Sequence, residues 1–301
     1  MIACANRFMT NPIFLHITYA EPDLTIREAC ALAAEHGFDG VEFRRTPRAA
    51  AQIFPTTGEY LDEIARSMEE FGLTEVAFGM PGPDLVGSQS ERERDQWVAF
   101  AVEASERLSI TAFNLLCGGV IIPGVPHTEI HGHGGYVASE HVWDQVASHL
   151  RVIGSELARL GIPAGIENHS LYLHDSLEHA KRLVDSADSE MIGLTLDYAN
   201  AKAFRGCCPV EDLARELRQP PVLLHLKNSL AVGRATEIRC GLGDGEINHR
   251  VLLQQMIQLD FQGPIVLEAP RQGDRTWFVR SDKSYLDFVL ESLASTAFAD
   301  P

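Results

Sequence analysis

Four short stretches of this 301-residue chain end in side chains that can hold a cation or move a proton. The run Gly161-Ile-Pro-Ala-Gly-Ile-Glu167 leads into Asn168-His169, and Leu194-Thr-Leu-Asp197 into Tyr198-Ala-Asn200. Val222-Leu-Leu-His225 leads into Leu226-Lys227, and Pro264-Ile-Val-Leu-Glu268 into Ala269-Pro-Arg271. Each is an apolar run of strand length that stops abruptly in a carboxylate or an imidazole. Glu167, Asp197, His225 and Glu268 lie 30, 28 and 43 residues apart, about one strand-helix-strand unit each. Three carboxylates brought together without a cation would repel and raise one another's pKa values, and a divalent ion removes that cost. An oxygen-rich set with a single imidazole suits Mn²⁺ or Mg²⁺, with Co²⁺, Ni²⁺ or Zn²⁺ as substitutes. A carboxylate that holds the ion through one oxygen can accept a proton with the other. Glu167 and Glu268 are therefore candidates for both ligand and general base.

Such residues meet only if a scaffold brings the strand ends to one place. Apolar runs at 13–17, 40–44, 73–78, 110–116, about 164–167, 193–197, 222–227 and 264–268 read as eight strands. They are continuous apolar runs without polar alternation, as expected of a parallel sheet covered on both sides. Helical patterns lie between them. Thr25-Ile-Arg-Glu28 has the form of a capping box, and that helix should stop at Gly37. Further helices are expected over 57–71, 91–108, up to Leu160, from Ser176, after Pro209, over 248–259, and through Leu286, Val289, Leu290 and Leu293. Eight alternating units with no G-x-G-x-x-G after the first strand favour a single (β/α)8 barrel spanning 1–301 over an open doubly wound sheet. In a barrel the carboxyl ends of all strands open on one face, which is where the four polar ends would converge. The longest irregular stretch, 117–138, is rich in Gly, Pro and His and is a candidate lid. Its His127, His131 and His133 are candidates for a second metal site.

Composition narrows the function. A formal charge of −17 works against binding a phosphate backbone, so no nucleic acid is expected as partner and a DNA phosphodiesterase is disfavoured. No run approaches the ~20 apolar residues of a membrane span, and the opening residues hold no apolar signal core, so a cytoplasmic protein is expected, off the membrane. The six cysteines, Cys4, Cys30, Cys117, Cys207, Cys208 and Cys240, form no C-x-x-C pair and suit free thiols in a reducing compartment.

The stretches ending Gly165-Ile-Glu-Asn-His169, Leu196-Asp-Tyr-Ala-Asn200, Leu224-His-Leu-Lys227 and Val266-Leu-Glu268, with Gly241-Leu-Gly-Asp-Gly-Glu-Ile247 before the last, resemble the xylose isomerase-like sugar isomerase/epimerase family. Gly37-Phe-Asp-Gly-Val-Glu-Phe-Arg44 is similar to that family's second strand. The resemblance implies a barrel binding one divalent metal through Glu167, Asp197, His225 and Glu268, the two glutamates also moving protons. One departure is Asn228 after Lys227, where many members carry Asp.

The chemistry this implies is proton transfer next to the carbonyl of a small carbohydrate-like substrate, through a metal-stabilised enediolate. Return of the proton to the opposite face gives an epimer, and return to the adjacent carbon gives an isomer. Loss of a β leaving group instead would make a lyase, such as a dehydratase of keto-inositols or dehydro acids or an enzyme cleaving an oxidised glycoside. Lys227 shares a strand face with His225, and His169 lies two residues beyond Glu167, so either could hold a substrate oxygen. Asn200, Arg271 and Arg275 complete the candidate substrate contacts. Glu42 and Arg44 form another same-face pair, readable as substrate contacts or equally as an ion pair. Asp244 and Glu246 would repel a phosphate from the glycine-rich stretch, which reads as a tight turn before a helix and points to unphosphorylated substrates. A homo-oligomer is expected.

Overall fold

The eight apolar runs close on themselves. In the computed structural model, which describes residues 11–296 apart from 22, 48–51, 205–206 and 233–235, eight parallel strands form one closed barrel. These are β1 (Ile13–His16), β2 (Gly40–Arg44), β3 (Glu75–Gly79), β4 (Ile110–Leu115), β5 (Ala164–Glu167), β6 (Ile192–Asp197), β7 (Leu223–Leu226) and β10 (Ile265–Leu267). Pairing runs in chain order, and β10 closes against β1 with Phe14 opposite Val266.

Most helices start and stop within a residue of where the sequence places them. Helix α1 (Ile26–Glu35) opens on the full capping box of Thr25 and Glu28, and Gly37 takes the left-handed conformation just past its end. The helices α2 (Thr57–Phe71) and α4 (Glu140–Leu160) end on left-handed Gly72 and Gly161. Between them α3 (Ser90–Ser105) follows β3. Helix α5 (Leu177–Ala187) is capped by the Ser176 hydroxyl and buries Leu177, Ala180, Leu183 and Ala187 on one stripe. The short α6 (Tyr198–Lys202) and α7 (Leu213–Leu217) precede α8 (His249–Gln258) and α9 (Arg275–Thr296). Their apolar faces pack on the outside of the barrel in one continuous core.

Two boundaries differ from the sequence reading by more than one residue, and one pair of strands is additional. The third strand starts at Glu75, not residue 73, because Leu73 still packs with the end of α2, its N–H on Met68 O. Helix α3 ends at Ser105, short of residue 108. The third difference adds elements: β7 continues into an antiparallel hairpin outside the barrel, β8 (Asn228–Val232) with β9 (Thr236–Cys240). Asn228 explains where it starts. Its buried amide donates to Leu242 O and Ile247 O at 2.8 and 3.0 Å and accepts from the N–H groups of Ser229 and Ile247 at 3.0 Å each. A carboxylate could not make the two donations, so an amide at this position serves the hairpin base.

Among the described residues no helix is long and apolar enough to cross a membrane. Cys30, Cys117, Cys207, Cys208 and Cys240 are free thiols, and Cys4 lies outside the described residues. Burial pushes the thiols of Cys30 and Cys117 up to about 12, which leaves them protonated and inert.

Candidate metal centre and cavity

Side chains on a strand alternate faces, so the inward positions of the eight strands stack in layers. The lower layer is apolar: Phe14, Ala77, Ala112, Leu223 and Val266 form a separate small core inside the barrel. Two residues further along each strand comes a second layer, made of His16, Glu42, Gly79, Asn114, Glu167, Asp197, His225 and Glu268. Seven of these eight positions are polar, and the seven side chains are nearly all out of contact with water. The eighth is glycine for want of room, since a methyl group at Gly79 would lie 2.3 Å from Glu42 Oε1.

Glu167, Asp197, His225 and Glu268 thus converge, as their places at strand ends suggested. One donor atom from each lies within 4.8 Å of the others. Donor atoms this close could be shared by one divalent ion. Asp197 supports the fit in particular. Its Oδ2 is buried and accepts no hydrogen bond of regular geometry, and its contact is the Lys227 ammonium at 2.5 Å. The donor set, three carboxylates and one imidazole, is that of a divalent cation with hard or borderline preferences.

Surrounding residues fix these donors. Asn114 Nδ2 donates to Glu167 Oε2 at 2.8 Å, and Asn200 Nδ2 to Glu167 Oε1 at 3.2 Å. The Asn200 N–H also donates to Asp197 Oδ1, the cap of α6, at 2.9 Å, so Asn200 contacts two of the candidate ligands. Asn168 pins the Asp197 backbone from both sides, at 2.7 and 3.0 Å. Burial pushes His174 down to about 3. The neutral ring accepts the Cys117 N–H at Nε2 and donates from Nδ1 to the Glu167 carbonyl.

His225 is held on both nitrogens, Nε2 by Glu42 Oε2 at 2.8 Å and Nδ1 by Glu268 Oε2 at 3.0 Å. Burial opposes its charged form, but Glu42, Glu268 and Glu167 together hold its pKa well above the usual value. Lys227 follows the same logic: burial pulls it down, and Asp197, Glu268 and Glu167 raise it further. Glu268, which burial would raise, is kept well below the carboxylate range by Lys227, His16 and His225. Glu42 is likewise lowered against its burial by His225 and His16. In the metal-free protein the imidazolium proton and the ammonium therefore carry the two positive charges that a divalent ion would bring. If His225 held an ion through Nδ1, that nitrogen would have to give up its proton, and Nε2–H would remain on Glu42 as a supporting carboxylate.

Glu42 is the residue whose part the sequence concealed. Its carboxylate does not pair with Arg44, whose Nε goes instead to Glu21 Oε2 at 2.8 Å. The polar residue inside an otherwise apolar strand was the available signal.

Above the ring lies a cavity of about 960 Å³, lined among others by Arg44, His169, Glu268, Arg271 and Arg275 and walled on one side by Ile238, Arg239 and Cys240 of the hairpin. His169 faces it, with Nδ1 3.0 Å from Ser170 O. Arg271 is braced into the wall by Asp282, by two backbone carbonyls and by the ring of Phe278. Lys227 sits lower, between Asp197 and Glu268.

The long loop is tied down at several points. Gly134 N–H bonds Val120 O at 2.8 Å, Gly135 N–H bonds Asp175 Oδ2 at 2.9 Å, and Gly119 bridges to Tyr172. Buried His133 spends Nδ1 on Ile122 N–H and Nε2 on Pro126 O, while His127 and His131 meet other rings. Among the described residues the histidines of this loop form no metal-binding group.

Known proteins agree with this architecture. The chain matches the family model described as xylose isomerase-like TIM barrel over residues 30–286. A xylose isomerase-like TIM barrel protein from Mycobacterium smegmatis, solved in complex with magnesium, superposes with a TM-score of 0.73 at 16% identity, covering 95% of this chain and 98% of that one. An L-ribulose 3-epimerase gives 0.69 at 14% identity, covering 96% and 97%. A probable 3-DHS dehydratase from Bacillus anthracis gives 0.66 at 16%, covering 92% and 98%. No curated protein sequence matches. These identities speak to the fold alone; the family assignment rests on the match to the family model. With its closed barrel, its polar upper layer and that match over most of its length, the chain belongs to the xylose isomerase-like TIM barrel family.

Proposed function

We propose that the protein is a divalent-metal-dependent isomerase or epimerase of a small keto-sugar or related polyhydroxy carbonyl compound. The observation that carries this reading is the placing of two carboxylates, Glu167 and Glu268, in one cation-binding set, with Glu268 on the cavity wall. Glu167, Asp197, His225 and Glu268 would hold the ion, Mn²⁺ or Mg²⁺ by donor chemistry, and the ion would supply stabilisation of negative charge developing on a substrate oxygen. Glu268 takes the proton from the carbon next to the carbonyl, and Glu167 returns one. Return to the other face of that carbon epimerises, and return to its neighbour isomerises. Lys227 and His169 hold substrate oxygens so that the reacting C–H meets the carboxylate, and Asn114 and Asn200 keep Glu167 aimed. Sugar epimerases among proteins of the same fold support the reading. A dehydratase among them supports a second: the same base, with departure of a β hydroxyl or aglycone in place of proton return, gives a lyase.

The test is incubation of the Mn²⁺-loaded protein in deuterated water with keto-sugars, keto-inositols and oxidised glycosides. Deuterium entering next to the carbonyl without loss of a group is expected. Release of water or aglycone would establish the lyase reading, and neither outcome with any divalent ion would overturn both. The Glu268→Gln protein should fold and lose the exchange by about 10²–10⁴-fold.

A further inference from the structure

The chain holds 42 acidic against 25 basic residues, yet four arginines line the one cavity above the metal-ligand set. Three acids line it too, Glu21, Asp244 and Glu268. Two of the arginines are already spent. Arg44 pairs with Glu21, and Arg271 pairs with Asp282 at 2.8 Å while donating to Cys240 O and Ala269 O. Arg239 is exposed on the hairpin.

Arg275 differs from all three. It opens α9, its Nη1 is buried away from water, and that atom has no hydrogen-bond partner. Among the described residues no carboxylate stands within ion-pair distance of its guanidinium. The adjacent acid, Asp274, is used by the helix, its Oδ1 accepting the Trp277 N–H at 3.0 Å. Arg275 is half-buried, and its guanidinium keeps one N–H donor that solvent does not reach and no protein group answers, which an acceptor entering the cavity can meet. From the cavity side, that acceptor is an anion.

The floor does not oppose an anion once loaded. The three ligand carboxylates are offset by the two charges of the ion and the one of Lys227, which stands 2.5 Å from Asp197. Nor is the acceptor site shaped for phosphate. The glycine-rich turn at 241–245 has no room to spare, since a methyl group added at Gly245 would lie only 2.1 Å from Asn228 Oδ1, and Asp244 of the turn lines the cavity. A planar guanidinium edge matches a carboxylate.

We infer that the substrate is a polyhydroxy carbonyl compound bearing a carboxylate, with Arg275 as the residue that receives the acid group. The inference rests on the carbonyl chemistry proposed above but is tested without turnover.

Affinities of D-glucuronate, D-glucose and D-glucose 6-phosphate for the Mn²⁺-loaded protein are measured by isothermal titration, with Arg275→Gln and Arg275→Lys beside the natural chain. Glucuronate and glucose differ only in the acid group, so chelation of the ion is common to both. Glucuronate should bind about ten- to hundredfold more tightly than glucose, the span of a hydrogen bond to a charged partner. Arg275→Gln should bring the two within about twofold, and Arg275→Lys should retain part of the preference. Equal binding of both sugars, or a preference that survives Arg275→Gln in a folded protein, would overturn the inference. Preference for glucose 6-phosphate would replace the carboxylate by a phosphate and overturn it too. Solvent deuterium exchange on keto-sugars together with equal binding of glucuronate and glucose would leave the isomerase reading standing while sinking this one; an Arg275-dependent acid preference without exchange on any substrate would do the reverse.

Discussion

Replacing Glu42 by Gln tests whether the ligand set works as a supported metal centre. Glu42 is fully buried and touches no proposed ligand except His225, at 2.8 Å on Nε2, with Asn114 Nδ2 at 3.3 Å and His16 Nε2 at 3.8 Å. Gln keeps the volume and an acceptor oxygen, so no cavity opens and the ring of His225 stays near its present position. What disappears is the charge behind the imidazole. Charge-assisted hydrogen bonds are about twice as strong as neutral ones, and supporting carboxylates of this kind contribute about 10–100-fold to metal affinity. That corresponds to about 1.4–2.7 kcal/mol. Glu42→Gln should thus weaken Mn²⁺ binding by at least about tenfold in a titration at fixed pH, with the fold intact by circular dichroism.

A second substitution separates charge from position. Gly79→Ala places a methyl group 2.3 Å from Glu42 Oε1, so the carboxylate must move although every charge remains. It should weaken Mn²⁺ binding in the same direction. If both variants fold and bind Mn²⁺ within twofold of the natural chain, Glu42 does not support the ion through His225, and the arrangement of donors proposed here is wrong.

Chelation should lower the melting temperature, because an ion that binds only the native state at 100 times its Kd contributes about 2.7 kcal/mol; no shift together with no metal on elemental analysis would contradict the site. Metal uptake at pH 7 should release about one proton, the one on His225 Nδ1, seen as a dependence of titration heat on the buffer's ionisation enthalpy. Removing Lys227 as Lys227→Gln leaves buried Asp197 and Glu268 without their ammonium, so the metal-free protein should lose about 3–5 kcal/mol while the metal-loaded form loses less; equal losses would refute the stand-in role. Burial pushes His174 down to about 3 and His249 to about 4, so below about pH 6.5 the unfolded chain binds more protons than the folded one and stability falls with pH, by about 1.4 kcal/mol per unit for each at most. His225, whose pKa is raised, contributes its full stabilisation below about 6.5 and cannot mask that slope; a melting temperature flat from pH 6.5 to 5 would refute it.

The sequence made the strand ends legible because each breaks an apolar run with a donor that a core would reject. Glu167, Asp197, His225 and Glu268 are that break, and equal places on successive strands of a barrel put them together. Glu42 and His16 escaped because they lie on β2 and β1, and only closure of β1 on β10 carries them to the His225 side of the ring. Glu42 has Arg44 two residues on, so a local ion pair accounted for it equally well until Glu21 proved to be the partner of Arg44. Asn114 sits inside a run that otherwise reads as core, and its role is visible only from the 2.8 Å bond to Glu167. The hairpin was hidden for a different reason. β8 follows β7 after a single residue, so no turn signal separates them, and its Leu230 and Ile238 stay exposed without the alternation of a half-buried strand.

The division of charge within the molecule follows from where each residue type can be paid for. Carboxylates gather on the inward strand positions because a closed barrel supplies them with buried partners from neighbouring strands: amides from Asn114 and Asn200, imidazoles from His16 and His225, and one ammonium from Lys227. Arginines need length and a wall, and the loops beyond the strands provide both. Three of them stand on segments that follow β9 or β10 or end β9 itself, the elements that rise beside Glu268. A site assembled in this way would attract a cation at its floor through strand geometry, which is common to any barrel with those eight inward residues. On the proposed reading, discrimination between substrates would lie higher, in side chains of the hairpin and of the segment after β10 that the strand pattern does not constrain. Exchanging Glu268 should therefore abolish chemistry on every substrate, whereas exchanging Arg275 should change which substrate is accepted and leave the ion in place. A variant of Arg275 that lost its Mn²⁺ would show that the two levels are not separable.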